Sequence, residues 1–104
     1  MPAYMIIEAE IEDAAQFKKY ALAAAELVAE FGGEYIVRAA PPIALEGDWP
    51  NERKLVISKW ASQRQALAFW NSSKYAKIKE LRLGTANVRV TLFEGVHKKG
   101  VDEK

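Results

Sequence analysis

Few side chains in this chain of 104 residues combine the type and the spacing that chemistry needs. It has no cysteine, which removes the thiol nucleophile, the zinc–thiolate site, the iron–sulfur ligand and the disulfide framework together. His97, the one histidine, stands in His97-Lys98-Lys99-Gly100. A metal site would want further His, Asp or Glu ligands at suitable spacing, and a triad would want an oriented acid. Neither accompanies it, so His97 reads as an exposed histidine, and no metal or cofactor is expected. Glu8 and Arg89 are more informative, because they fall on strands expected to be neighbours and on the same face. Such a pair is either a structural ion pair or a carboxylate whose proton affinity is set by burial and by the arginine, able to move a proton or anchor a polar ligand. Ser58 has the hydroxyl to orient such a ligand but lacks a base that would make it a nucleophile. Arg38 either reaches an anionic group at the edge of a pocket or is an ordinary surface arginine. With Trp60, the candidate ligand-binding set is therefore Glu8, Arg38, Ser58, Trp60 and Arg89, and no catalytic residue is singled out. No phosphate loop or dinucleotide fingerprint is present; Gly32-Gly33 follows a helix rather than a strand.

The elements that position these residues can be read from periodicity. Tyr4–Ile11 alternates, with Met5, Ile7, Ala9 and Ile11 in one row and Tyr4, Ile6, Glu8 and Glu10 in the other. Asp13 stands as an N-cap before a helical stretch, Ala14–Phe31, whose inner face carries Phe17, Tyr20, Ala21, Ala24, Leu27, Val28 and Phe31. Gly32-Gly33 is its stop. A second strand covers Glu34–Arg38 and resumes at Ile43–Glu46 after Pro41-Pro42, which puts it at a sheet edge or at a bulge. After the turn Gly47-Asp48-Trp49-Pro50-Asn51, a third strand runs Lys54–Ala61, with Leu55 and Ile57 on one face and Val56, Ser58 and Trp60 on the other. Ser62 with Gln65 is a capping-box signature for a helix near Gln63–Trp70. A further helix follows over Lys74–Leu83, with Tyr75, Ile78 and Leu81 inward. The last strand, Asn87–Val96, sets Val88, Val90 and Leu92 against Arg89, Thr91 and Phe93.

The order β-α-β-β-α-β with right-handed crossovers gives a four-stranded antiparallel sheet of order 4-1-3-2 with the helices on one face, an α+β ferredoxin-like fold. The length suits one domain, taken as residues 2–96 with a charged C-terminal tail at 97–104. A 50% hydrophobic content with 28% charged residues is that of a globular chain rather than a disordered one. No apolar run is long enough for a membrane span, and Met1–Glu10 lacks the features of a signal peptide, so the expected compartment is the cytoplasm. The net charge of +1 hides three bases against nine acids in residues 1–50. The remaining 12 bases face five acids in residues 51–104. Opposite signs that mix on folding explain this asymmetry.

On the sheet face away from the helices, Ile6, Val56, Trp60 and Phe93 are expected to form an apolar patch, with Glu8, Ser58 and Arg89 among them. A patch of that kind is unusual on a soluble monomer, and its polar groups would be costly in a fully closed core. Packing against a second copy of the same face satisfies both, so a homodimer with a polar pocket is expected.

The chain resembles the family described as domain of unknown function 1330, within the dimeric α/β-barrel superfamily. The residues that carry the likeness are Ala3-Tyr4, Gly32-Gly33 before a strand ending in Val37-Arg38, and the turn Leu45-Glu46-Gly47-Asp48-Trp49. Ala66 to Trp70, Ser72, Tyr75 and the closing Phe93-Glu94-Gly95 complete it. Three positions depart from the pattern: Ala39-Ala40 where glycines are expected, Lys59 where an acid is usual, and Ser73 in place of proline. The resemblance implies a ferredoxin-like protomer and a dimeric α/β barrel, and it carries over no catalytic residue.

Three classes of function follow. One is a homodimer that binds a small molecule, a cofactor-independent enzyme included, with its pocket between sheet and helices; superfamily relatives that are monooxygenases or isomerases offer an analogy of fold alone. Another is a dimeric binding or scaffold module without chemistry. The third, RNA binding on the sheet face, lacks the Lys/Arg-Gly-Phe/Tyr pattern in Lys54–Trp60 and the basic charge it requires, so neither nucleic acid nor membrane is an expected partner.

Overall fold

The computed structural model describes residues 1–50 and 53–96; the tail 97–104, and His97 with it, lies outside the described residues. In chain order the elements are β1 (Ala3–Ile11), α1 (Ala14–Glu30), β2 (Glu34–Arg38), β3 (Arg53–Trp60), α2 (Gln63–Trp70), α3 (Ser73–Lys79), a 3₁₀ turn at Glu80–Arg82, and β4 (Ala86–Glu94). They form a ferredoxin-like α+β fold whose antiparallel sheet has the order β2-β3-β1-β4, the expected 4-1-3-2 read from the other edge.

Local chemistry accounts for the boundaries. The Asp13 side chain accepts the Gln16 N–H at 3.1 Å and opens α1. At the other end Gly32, at φ 89°, closes a Schellman motif in which the Gly33 N–H reaches Val28 O at 2.9 Å and the Gly32 N–H reaches Ala29 O at 3.1 Å. Ser62 caps α2 by accepting the Gln65 N–H at 3.1 Å. The Gln65 amide then ties two elements together, donating to Phe31 O at 2.7 Å and accepting from the Ala61 N–H at 3.2 Å. Ser72 caps α3 through the Tyr75 N–H at 3.0 Å.

The core lies between the sheet and the helices. Ala3 and Met5 of β1 point into it and meet Tyr20, Ala24, Leu27 and Val28 of α1, with Ala66, Phe69 and Tyr75 from α2 and α3. Phe69 is its aromatic hub, with ring centroids 5.1 Å from Trp60, 4.7 Å from Tyr75 and 6.0 Å from Phe31. Trp70 is half-buried against the same cluster.

Three details depart from the sequence reading. The second strand ends at Arg38 and does not resume: Ile43 and Leu45 lie in an exposed loop, because Pro41 and Pro42 withhold the donors a ladder needs. The edge position and the bulge are both present, the latter at Ile36 between Tyr35 and Val37. The last helix tightens into the 3₁₀ turn after Lys79, which leaves Leu81 exposed while Tyr75 stays buried. The largest correction concerns β3. Met5 pairs with Ser58 and Ala3 with Trp60, and cross-strand partners share a face. Val56, Ser58 and Trp60 therefore face the helices, and Leu55, Ile57 and Lys59 take the open face.

Candidate functional site

Glu8 and Arg89 are cross-strand partners on β1 and β4, and their side chains meet on the open face with Arg89 Nη2 3.2 Å from Glu8 Oε1. A third residue that sequence reasoning missed completes the cluster: Arg53 Nη1 also lies 3.2 Å from Glu8 Oε1 and Nη2 lies 3.9 Å from Glu10. The pairing of Glu10 with Arg53 at the start of β3 puts that guanidinium there, and the turn before it hid the strand boundary. One carboxylate oxygen thus serves two arginines at the floor of a shallow polar depression shared with Asn87. The surrounding open face is mixed, with Ile6, Leu55 and Ile57 partly covered, Phe93 exposed, and Tyr4, Lys59 and Thr91 between them.

Ser58 and Trp60 are not part of that face. Both are buried to about 1% exposure, and the indole N–H donates to Ser58 Oγ at 2.9 Å. The serine satisfies the one polar atom of a tryptophan wedged against Phe69, which makes the pair a core lock. Trp49, the turn tryptophan, donates its indole N–H to Arg53 O at 3.3 Å and lines a small hollow with Pro41 and Pro42.

The substantial cavity lies on the other side of the sheet. It measures about 400 Å³ and runs between α1 and the inner face of β1, β2 and β3, within the size of small-ligand sites. Its walls are Ile7, Ala9, Ile11, Phe17, Ala21, Ala24 and Val56, joined by Tyr20 and Tyr35. The space exists because α1 sets alanines against it at positions 21 and 24, too small to fill the gap between helix and sheet. The alanine-rich helix was the available sign of it in the sequence. Arg38, which the sequence places at a strand end, stands at the rim with Lys18 and Lys54, its guanidinium carbon 5.0 Å from the centre of the Tyr35 ring. Glu8, Ser58, Trp60 and Arg89 are absent from this lining, so the structure divides the candidate set among three places.

The phenols that line the cavity are Tyr20 and Tyr35. Tyr20 OH and Tyr75 OH are 2.8 Å apart in the interior, with the Arg82 guanidinium carbon 5.4 Å from the Tyr20 ring centre. Burial, and then the neighbouring Tyr75, push the Tyr20 phenol far above its ordinary range. Burial also raises Tyr35, against the pull of Arg38. Both phenols are therefore neutral near pH 7, hydrogen-bonding groups rather than bases. Among the described residues no cluster of three His, Asp or Glu side chains could hold a metal ion, and no helix is long and apolar enough to cross a membrane.

The sequence profile of the family described as Domain of unknown function (DUF1330) matches residues 2–96. The chain belongs to that family. No curated protein matches this DUF1330 chain. Among solved structures it is similar to RPA0582, a protein of unknown function from Rhodopseudomonas palustris. The two are 13% identical with a TM-score of 0.73, and the match covers 92% of this chain and 83% of that one. It is also similar to SnoaB, a cofactor-independent oxygenase from Streptomyces nogalater. There the identity is 10% and the TM-score 0.68, with 93% of this chain and 95% of that one covered. A candidate antibiotic biosynthesis monooxygenase from Caulobacter crescentus CB15 is 14% identical at a TM-score of 0.68, with 92% and 91% covered. Identities this low establish a shared fold and leave chemistry to the site.

Proposed function

We propose that this DUF1330 protein binds a small, mainly apolar or aromatic molecule in the cavity between α1 and the sheet. One observation supports the reading above the rest: a cleft of about 400 Å³, open at one end, walled by aliphatic and aromatic side chains and holding a few polar groups, is the composition of a ligand site. A cofactor-independent reaction there is compatible with the fold SnoaB shares. The neutral phenol of Tyr35 at the wall is the group that would polarise a bound carbonyl or hydroxyl. The test is binding of the neutral fluorophore phenylnaphthylamine, whose emission rises in apolar surroundings. The wild-type protein is expected to bind it saturably. Ala21→Trp, which fills the cavity from α1, is expected to abolish binding while preserving the circular dichroism of the fold; unchanged affinity in that variant would refute the reading.

The working unit of this proposal is a homodimer, packed through the open sheet faces. The support is the exposed Phe93 and the half-covered Ile6, Leu55 and Ile57 on that one face, apolar area of the kind that marks an interface. Phe93→Glu is expected to convert the dimer to a monomer in sedimentation velocity; a wild-type chain already monomeric at micromolar concentration would refute it.

A further inference from the structure

We infer that the ligand of this cavity is an anion, an apolar or aromatic body carrying a carboxylate, sulfonate or enolate, with its charge at the rim; the inference rests on the cavity reading above. The cavity opens at one end of the sheet, where the chain leaves β1 for α1, leaves β2 at Arg38 and enters β3. Three cations converge there from three different elements: Lys18 on α1, Arg38 ending β2, and Lys54 near the start of β3. Among the described residues no Asp or Glu lines the cavity. That is not the expected sampling of this part of the sequence, because residues 1–50 hold only three bases against nine acids, and two of those three bases stand at this mouth. Of the acids nearest in sequence, Glu10 pairs with Arg53 on the opposite face of the sheet and Asp13 caps α1, while Glu12 is exposed in the turn between β1 and α1, outside the lining. Among the described residues no carboxylate lies in ion-pair range of Lys18, Arg38 or Lys54; the ion pairs there involve Arg53, Lys74 and Arg89 instead.

An apolar pocket with a one-signed rim attracts and orients a ligand of opposite charge while the body of the ligand is desolvated. The guanidinium of Arg38, held over the Tyr35 ring, is preorganised for an oxyanion in a way a free lysine is not. The polar groups deeper in the wall, Tyr20 and Tyr35, are neutral, so the charge of such a ligand stays at the mouth.

The experiment compares two probes of nearly the same shape, neutral phenylnaphthylamine and anionic anilinonaphthalene sulfonate, by fluorescence titration on the wild-type protein. A Lys18→Gln/Arg38→Gln/Lys54→Gln variant is titrated alongside; its three positions are exposed and tolerate the change. The expected result is that the sulfonate binds on the order of tenfold more tightly than the neutral probe, about what three rim charges supply. The ratio of the two affinities should fall to about one in the triple variant and shrink at high salt, with the neutral probe still binding saturably. Equal affinities on the wild-type protein, or a sulfonate advantage that survives in the triple variant, would overturn the anion inference and leave the cavity reading standing. Failure of both probes to bind would overturn the cavity reading, and the inference with it.

Discussion

Replacing Gly33 by alanine tests the packing that sets the inward face of β3. A Cβ built on Gly33 meets the Trp60 ring at 2.7, 2.7 and 2.9 Å, closer than carbon atoms sit without one of them moving. Gly33 needs no unusual backbone conformation, unlike Gly32 beside it, so the effect of the added methyl is purely steric. The ring has nowhere to go. Its other side lies on Phe69 at a centroid distance of 5.1 Å, and its N–H is held by Ser58 at 2.9 Å. Overpacking of this kind costs about 1–3 kcal/mol, and a weakened buried indole hydrogen bond adds about 1 kcal/mol. The narrower unfolded ensemble of alanine returns about 0.4–1 kcal/mol. The net expectation is a loss of about 2 kcal/mol, read as a lower urea midpoint at unchanged m-value, with a fall in Tm of about 4–8 °C per kcal/mol for a domain of this size. A Gly33→Ala protein within about 0.5 kcal/mol of wild type, the ordinary scatter of surface changes, would refute the placement of Trp60 over Gly33.

Two further outcomes follow from single residues. Ala39 sits at φ 60° while its N–H donates to Leu55 O at 2.8 Å; relief of a left-handed alanine is worth about 1–2 kcal/mol and glycine gives back about 0.5–1 kcal/mol in chain entropy, so Ala39→Gly should raise stability by roughly 0.5–1 kcal/mol in urea titration. A loss instead would show that the bend after β2 is not strained. The Tyr20 phenol is raised in the folded chain by burial and then by Tyr75, so only the unfolded chain ionises it near its ordinary value of about 10. Its stabilising contribution is intact below that pH and is lost as pH climbs toward the folded value. The urea midpoint should therefore fall from about pH 10 upward, and Tyr20→Phe should make the decline shallower; an identical slope in the variant would show that Tyr20 is not the group responsible.

How far the sequence speaks for this molecule depends on whether one face of an element is polar. In β1, Glu8 and Glu10 mark the outward row and Met5 and Ala9 the inward one, so its orientation is legible, and with it the pairing of Glu8 with Arg89. The inner stripe of α1 and the caps at Asp13 and Ser62 are legible too, since each rests on local chemistry. In β3 both rows are apolar, Leu55 and Ile57 against Val56 and Trp60, and the lone serine sits on the buried side beneath an indole that needs its oxygen. Alternation finds such a strand and cannot orient it; the register against β1 does. Arg53 escaped because it stands at the strand's first residue, where periodicity has barely begun. The cavity is the product of what is missing from the inner face of α1, and small side chains leave a weaker trace in a sequence than charged ones. Arg38 was visible as a candidate, but only the topology brings it to one rim with Lys18 and Lys54.

The central claim is that the space under α1 is a ligand site, and the most direct measurement is a methyl NMR titration with neutral phenylnaphthylamine. Ile7, Ile11 and Val56 line the cavity, whereas Ile6 and Ile57 pair across the open face of the same strands. The account predicts saturable shifts at the first three methyl-bearing residues with Ile6 and Ile57 still. Shifts confined to Ile6 and Ile57, or no shifts at all, would contradict it.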